Sequence, residues 1–201
     1  MDRLPMHQSW LARWRAWLKR AAYSGFRRDR WQHPDEVIAA LQIQPGARIA
    51  EIGSGGGYFT FRLATAAGPQ GTVYAVDVDP DLVEDLASRA HQRGIGNIQA
   101  LLADAADPRL AAAAIDLVFT SNAYHHLSDR PVYFGRLRHC LKPNGRVAII
   151  DSNGASWFNK VFGHWTRRDV IESEMRAAGY RLERAHAIVP GQHFLIFAPE
   201  A

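Results

Sequence analysis

The sequence predicts an α/β fold, a doubly wound and largely parallel sheet with helices on both faces. From residue 47 onward, short apolar runs alternate with stretches of helical periodicity, which is the pattern of successive βαβ units. The first apolar run ends in a glycine-rich loop, Gly53–Gly57. A glycine loop between a strand and a helix is a common way to bring the backbone close to a ligand.

The composition indicates one globular domain with a basic extension. The chain has 201 residues, of which 47% are apolar and 22% charged, enough for a packed core. The net charge is +4, and much of the excess lies before residue 34. A single cysteine, Cys140, excludes an internal disulfide. No apolar run near the start is long enough for a signal peptide or membrane span, so a cytoplasmic location is expected.

Residues 8–23 are predicted to form a basic amphipathic helix. Trp10, Trp14 and Trp17 share one face, and arginine and lysine side chains surround the others. Such a helix can cover a ligand site as a lid, pack against another subunit, or lie on an anionic membrane surface. We therefore divide the chain into an extension, residues 1–33, and an α/β domain, residues 34–201. The extension is expected to act as a lid or as a surface anchor with peripheral contact to the inner membrane surface.

The elements of the domain follow in order along the chain. A helix begins at Pro34, with acids in its first turn. Pro143–Gly145 is predicted to be a turn, and Pro190-Gly191 a hairpin connection. Strands are predicted over 47–52, 72–77, 97–101, 115–120, 145–150, 180–188 and 192–198, and further helices over 57–67, 80–93, 130–141 and 167–178.

Glu51 distinguishes this glycine loop from a dinucleotide site. It lies at the carboxyl end of the first predicted strand, two residues before Gly53. A carboxylate in that position repels a pyrophosphate but attracts a ligand that carries an ammonium group. The loop therefore favours a cationic ligand over a nicotinamide dinucleotide.

The segment Glu51–Gly57, Glu-Ile-Gly-Ser-Gly-Gly-Gly, resembles the first motif of class I S-adenosyl-L-methionine-dependent methyltransferases, in particular small bacterial ones. Leu141–Gly145 is similar to the turn that precedes the fifth strand in that family, with asparagine in place of one glycine. The resemblance covers roughly residues 34–198. It implies a Rossmann-like sheet of seven strands whose last strand is antiparallel, and S-adenosyl-L-methionine as the cofactor.

The resemblance also implies positions for the cofactor contacts. Asp77, at the end of the second strand, corresponds to the acid that binds the ribose, whereas Asp79 is better placed to cap the helix that begins at Pro80. Asp104 and the backbone of Ala105 correspond to the adenine contact, with Asp107 as the alternative acid. The expected cofactor-binding residues are Glu51, Gly53, Ser54, Gly55, Gly57, Tyr58, Asp77, Val78, Asp104, Ala105 and Asn122.

The acceptor is expected beside the exit of the fourth strand, because ligands of doubly wound sheets bind beyond the carboxyl ends of the strands. Tyr124, His125 and His126 lie there and are the candidate catalytic residues. His125 is the first candidate for a general base and His126 the second; Tyr124 and His164 are expected to orient the acceptor. Asp116, at the start of the same strand, is expected to be structural. No metal is expected, because the histidines are scattered, no close set of aspartates and histidines has ligand spacing, and adjacent histidines such as His125 and His126 point apart on most backbones.

These observations predict a methyltransferase that acts on a small-molecule acceptor, with a lipid or a quinone-like phenol as the expected class. A protein or RNA methyltransferase and a non-catalytic cofactor-binding protein are the alternatives. The exit loop lacks the Asn/Asp-Pro-Pro-Tyr signature of amino-group DNA methyltransferases, so no DNA partner is expected. The residues leave the acceptor and the methylated atom open.

Overall fold

A computed structural model describes residues 28–104, 106–155 and 164–200 of the chain. The predicted helix over 8–23 and the adenine contact at Ala105 lie outside these residues. The described part contains seven strands: β1 Arg48–Ile52, β2 Thr72–Asp77, β3 Ile98–Leu102, β4 Ile115–Ser121, β5 Leu141–Ser152, β6 Tyr180–His186 and β7 Gln192–Pro199. Its α-helices are α1 Asp29–Gln32, α2 Pro34–Leu41, α3 Thr60–Ala67, α4 Pro80–Gln92, α5 Arg130–Cys140 and α6 Arg168–Ala177.

The seven strands form one sheet in the order β3-β2-β1-β4-β5-β7-β6. The pairs among β1 to β5 are parallel, and β7 is antiparallel to both β5 and β6. The predicted fold is therefore confirmed, including the antiparallel last strand. The chain order reverses between β1 and β4, so the carboxyl ends of these two strands form a crevice.

The strands of the sheet separate two apolar cores. Val147 and Ile149 of β5 pack into one core, and the intervening Ala148 and Ile150 pack into the other, because successive side chains of a strand point to opposite faces. α5 and α6 cover the first core, and α2 and α3 cover the second. Helices therefore lie on both faces, as predicted.

The fifth strand differs from the prediction. A strand over 145–150 after a turn was expected, but β5 begins at Leu141. Leu141 pairs with Ile115, and Arg146 with Leu117, with an irregularity between the two pairs. Pro143–Gly145 therefore forms a bulge within the strand, since proline cannot donate to a continuous ladder. Gly145 lies there because a Cβ would be 2.9 Å from the carbonyl oxygen of Ile115.

Among the described helices, none is long and apolar enough to cross a lipid bilayer.

Candidate active site

A cavity of about 700 Å³ lies at the carboxyl ends of β1, β2 and β4. One wall is the glycine loop, and the opposite wall is the exit of β4. Eleven of the predicted site residues line it together: Glu51, Gly53, Ser54, Gly55, Gly57, Tyr58, Asp77, Val78, Asp104, Asn122 and His126. The parallel strands bring these residues to one edge of the sheet, as the topology requires.

The glycine loop approaches its neighbours more closely than a side chain would allow. A Cβ on Gly53 would be 2.4 Å from the Cβ of Ala123, and Gly53 has a positive φ of 73°. The loop after β1 therefore touches the loop after β4. At Gly55, in contrast, no atom of the described residues other than its two chain neighbours lies within 4 Å of the position of a Cβ, so the backbone there is open for a ligand.

Asp77 holds the glycine loop in place. One of its carboxylate oxygens accepts a hydrogen bond from the Gly55 N–H at 2.7 Å, and the other accepts one from the Asp79 N–H at 3.0 Å. Asp79 itself caps α4 by accepting a bond from the Asp81 N–H at 3.0 Å, so the predicted cap is confirmed. Each Asp77 oxygen still has a lone pair that can accept from a hydroxyl.

Glu51 is a buried acid at the base of the cavity. Burial raises its pKa to about 8, against the opposing effects of a hydrogen bond from the Thr60 hydroxyl and of the positive charge on Arg28. A carboxyl with little access to water ionises readily only when a cation arrives. The side chain is therefore suited to a positively charged ligand group.

The segment before α2 also lines the cavity, although the sequence assigned it only to the extension over residues 1–33. The guanidinium of Arg28 lies 3.9 Å from the centre of the Tyr58 ring, and the Tyr58 hydroxyl donates to Asp29 at 2.6 Å. Gln32 is fully buried and donates to Gln192 at 2.8 Å. These contacts fix α1 over the cavity.

Other lining residues were missed by the sequence reasoning because their roles depend on tertiary packing. Phe61 and Arg93 come from α3 and the end of α4, where the guanidinium lies 4.4 Å from the ring centre. Leu82 of α4 also lines the cavity, and its position four residues after the predicted contact Val78 was an available signal for an apolar strip on this wall. The other lining residues that were not predicted include Arg28, Trp31, Arg62, Arg89, Leu127, Ser128 and Tyr133, and Ser121 at the end of β4 lines the cavity as well.

Tyr124, a candidate catalytic or acceptor-orienting residue, is not among the residues that line the cavity, because its side chain points into the core. Its side chain is fully buried, stacks on Phe134 with ring centres 5.5 Å apart, and donates to Glu174 at 2.7 Å. Burial and this bond raise its pKa. Tyr124 is the first residue of a short 3₁₀ turn, Tyr124–His126, and its ring is the part of this turn that packs into the core.

His125 lies beneath His126 and is bonded to a buried acid. Its Nδ1 atom is 2.7 Å from Oδ1 of Asp151, and the side chains of the two residues are 7% and 0% exposed. His126 lines the cavity, and its pKa is lowered by burial and by the neighbouring His125 and His164. Asp151, near the end of β5, therefore supports His125 from behind.

The histidines form a cluster that the sequence did not predict. The ring centres of His125 and His126 are 4.1 Å apart, and the ring of His164 lies 5.4 and 5.3 Å from them. The premise that the adjacent histidines point apart is therefore wrong. Because the three rings lie together, the reasons given for expecting no metal no longer apply.

The sheet order and the acid-flanked glycine loop at the switch point are those of class I S-adenosylmethionine-dependent methyltransferases. The chain belongs to the methyltransferase-domain family, whose model matches residues 43–182.

Relatives and solved structures agree with this membership. The chain is 33% identical over 113 residues to nocamycin O-methyltransferase of Saccharothrix syringae, covering 56% of this chain and 40% of the relative. It is 34% identical over 104 residues to aklanonic acid methyltransferase of a Streptomyces species, covering 52% and 47%. It is 28% identical over 126 residues to a ubiquinone/menaquinone biosynthesis C-methyltransferase of Burkholderia multivorans, covering 63% and 49%. The matches span less than half the length of these relatives.

A methyltransferase of Aquifex aeolicus described as S-adenosylmethionine-dependent has the same fold. It superposes with a TM-score of 0.82 at 21% identity, over 91% of this chain and 97% of the other.

The residues of the cavity fit S-adenosylmethionine. Its amino acid end carries an ammonium group, which matches the buried carboxyl of Glu51. The hydroxyls of Ser54 and Ser121 are buried in the cavity wall without a hydrogen-bond partner among the described residues. Val78 is apolar yet 60% exposed, as expected of a surface that a flat ring covers. Buried polar atoms without partners are uncommon unless a ligand or water completes them.

Proposed function

We propose that the chain transfers the methyl group of S-adenosylmethionine to a small organic acceptor. The observation that carries the proposal is that one cavity is lined by Glu51 at its base and by His126 at its exit loop. The names of the relatives support the acceptor class, since they specify nocamycin, aklanonic acid and quinone biosynthesis. A phenol or a quinone-like lipid is the acceptor that we propose.

In this proposal the chain's own residues bind, orient and shield the reactants. Glu51 binds the ammonium group, Asp77 accepts from the ribose hydroxyls, and Val78 and Asp104 contact the adenine. Bound S-adenosylmethionine supplies an electrophilic methyl carbon next to a cationic sulfur. Placement of the acceptor in line with that carbon, away from water, then accounts for most of the rate.

His125 is the proposed activating residue on the acceptor side. Its Nδ1 atom is engaged by Asp151, so its Nε2 lone pair is directed to the opposite side of the ring. A lone pair held in this way is able to take a proton from a hydroxyl or to bind a metal ion.

The test is a transfer assay with methyl-labelled S-adenosylmethionine and cell extract divided into lipid, small-metabolite, protein and RNA pools. Label in the lipid or small-metabolite pool is expected. Label confined to the protein or RNA pool would show that the acceptor is a macromolecule and not a small molecule. If calorimetry showed cofactor binding without transfer to any pool, the chain would be a non-catalytic binding protein.

A cytoplasmic location with peripheral membrane contact through residues 8–23 remains part of the proposal. A quinone-like acceptor gives such contact a purpose, because that acceptor resides in the membrane. Flotation with anionic liposomes should recover the full-length chain but not a variant that lacks residues 1–24. Equal recovery of both would leave the lid or packing interpretation of this segment.

A further inference from the structure

Three imidazoles from two separate segments converge at the edge of the cavity. His125 and His126 belong to the turn after β4, and His164 precedes α6. Each offers one nitrogen, and the three nitrogens lie within 4.8 Å of one another. We propose that His125, His126 and His164 bind a divalent transition-metal ion, with zinc as the best match, and that the fourth coordination position is open to the methyl acceptor.

The surroundings of His125 are those of a metal ligand. Histidine ligands usually donate their second ring N–H to a carboxylate or carbonyl, which fixes the ring and increases its basicity. Asp151 is such a partner, 2.7 Å from Nδ1 and fully buried. The other oxygen of Asp151 is buried without a hydrogen-bond partner among the described residues. A cation bound through His125 would therefore balance a carboxylate that water does not reach.

The spacing of the ligands is close to that of an occupied site. Zinc–nitrogen bonds of about 2.0–2.1 Å in a tetrahedral site place the nitrogens about 3.3 Å apart. The present spread of up to 4.8 Å requires the rings to approach by about 1 to 1.5 Å. His126 and His164 are exposed and are able to rotate, whereas His125 is held by Asp151. One fixed ligand and two adjustable ones allow the site to close around the ion.

The donor set indicates which metal and which role. Three imidazole nitrogens suit zinc and similar borderline ions better than magnesium or calcium, which prefer oxygen ligands. Three protein ligands with one open position are the arrangement of catalytic rather than structural zinc sites. A general base would require one histidine, and the convergence of three is better explained by coordination.

The role in methyl transfer rests on the proposed function. His126 lines the cavity as well as the cluster, so a metal held there lies beside the acceptor space. A hydroxyl that fills the open position binds with a lowered pKa and releases its proton to solvent water. The proposed acceptors are therefore molecules with a metal-binding oxygen, such as phenols and enols.

The full chain is treated with a chelator, freed of it by gel filtration, and titrated with zinc sulfate alone in a calorimeter. One zinc per chain is expected. His164→Ala should weaken zinc binding at least tenfold, because it removes a ligand, and Asp151→Asn should weaken it about tenfold or more, because it removes the supporting carboxylate. His91→Ala, which removes an exposed histidine from α4, should bind zinc as the natural chain does. Cobalt in place of zinc should give the visible absorption of a four-coordinate ion.

Zinc binding that is equal in the natural chain and in a folded His164→Ala variant would be adventitious and would overturn the site. So would the absence of stoichiometric binding. Binding of S-adenosylhomocysteine is measured separately on the metal-free chain. If S-adenosylhomocysteine binds and zinc does not, the metal site is wrong and the proposed function stands. If zinc binds and S-adenosylhomocysteine does not, the metal site stands and the proposed function is wrong. Methyl transfer that is unaffected by the chelator would overturn the role of the metal in activating the acceptor.

Discussion

Glu51 is a buried carboxyl that makes the stability of the fold depend on pH. Without ligand its pKa is raised to about 8, mainly by burial, whereas in the unfolded chain a glutamate titrates near 4.3. The folded state therefore holds a proton over this interval that the unfolded state releases. The resulting stability is complete below the unfolded pKa and is lost as pH rises through about 8.

Replacing Glu51 by Gln should remove this dependence. Between pH 6 and pH 8, the free energy of unfolding of the ligand-free natural chain should fall by about 2 kcal/mol relative to the Glu51→Gln variant. Urea denaturation at the two pH values measures the difference. The same variant should bind S-adenosylmethionine at least tenfold more weakly, because a hydrogen bond to a charged group is lost.

The matched control is Glu84→Gln, which removes an exposed carboxyl from α4. It should change neither the pH dependence nor the cofactor affinity. A Glu51→Gln variant with the pH profile of the natural chain would show that Glu51 is already ionised when the cavity is empty.

His125 should matter for turnover and not for cofactor binding. Its side chain contacts Asp151 and the other histidines rather than the glycine loop. His125→Ala is therefore expected to lower turnover at least tenfold with the dissociation constant of S-adenosylhomocysteine unchanged. His139→Ala, at an exposed position of α5, is the control. If His125→Ala turned over as fast as the natural chain, His125 would have no part in activating the acceptor.

The turn after β4 is positioned by contacts with two helices. Tyr124 donates to Glu174 of α6, and Arg130 of α5 binds the same carboxylate with two nitrogens, each at 2.8 Å. The partly buried carboxylate of Glu174 therefore joins the turn, α5 and α6. The histidines that follow Tyr124 are thus carried by an element that is anchored in the core.

Tyr124→Phe tests whether this tyrosine is structural. Loss of the bond to Glu174 should destabilise the chain by about 1–2 kcal/mol, measured by urea denaturation, and turnover of the folded variant should stay within about twofold of natural turnover. Tyr180→Phe is a comparable change, because that buried hydroxyl donates to the carbonyl of Phe134 at 3.0 Å. Similar stability losses with natural activity in both variants are expected. A large loss of turnover in Tyr124→Phe alone would restore the tyrosine to the acceptor site.

Across the whole molecule, acids at the amino ends and at the carboxyl ends of the parallel strands make different kinds of contact. At the amino end of β4, Asp116 accepts from the Arg48 N–H at 2.8 Å and pairs with Lys142 at 2.7 Å, so its predicted structural role is confirmed. At the carboxyl end of β2, Asp77 orders the glycine loop. Both are strand-end acids in the parallel part of the sheet, and they lie at its opposite edges.

Neutralising Asp116 should therefore affect mainly stability, whereas neutralising Asp77 should affect the affinity for S-adenosylmethionine. Asp116→Asn removes a half-exposed ion pair, worth about 1 kcal/mol or less of stability, and should leave the affinity for S-adenosylmethionine unchanged. Asp77→Asn should weaken that affinity at least tenfold, because both the loop and the proposed ribose contact depend on the carboxylate. Calorimetry on both variants measures the contrast. A comparable loss of affinity in Asp116→Asn would mean that the cavity responds to global changes in the sheet.

The local features of the fold were predictable because they follow from short-range physical rules. Alternation of apolar and helical stretches predicted the strands to within a few residues, except for β5, where a bulge extends the pairing past Pro143. Asp79 as a cap and the glycine loop as a ligand site depend on neighbours in sequence. The position of Glu51 and Asp77 follows from the rule that parallel strands end at one edge.

The remaining features depend on which distant segments the fold brings together. The class of protein, the sheet and the acids at the carboxyl ends of its strands followed from the sequence, because each is encoded in a few consecutive residues. Whether Tyr124 points into the core or the cavity, which acid supports His125, and whether His164 joins two adjacent histidines depend on packing between segments far apart in the chain. A spacing along the chain carries no information about such contacts, and the cluster beside the cavity became visible only in the folded molecule.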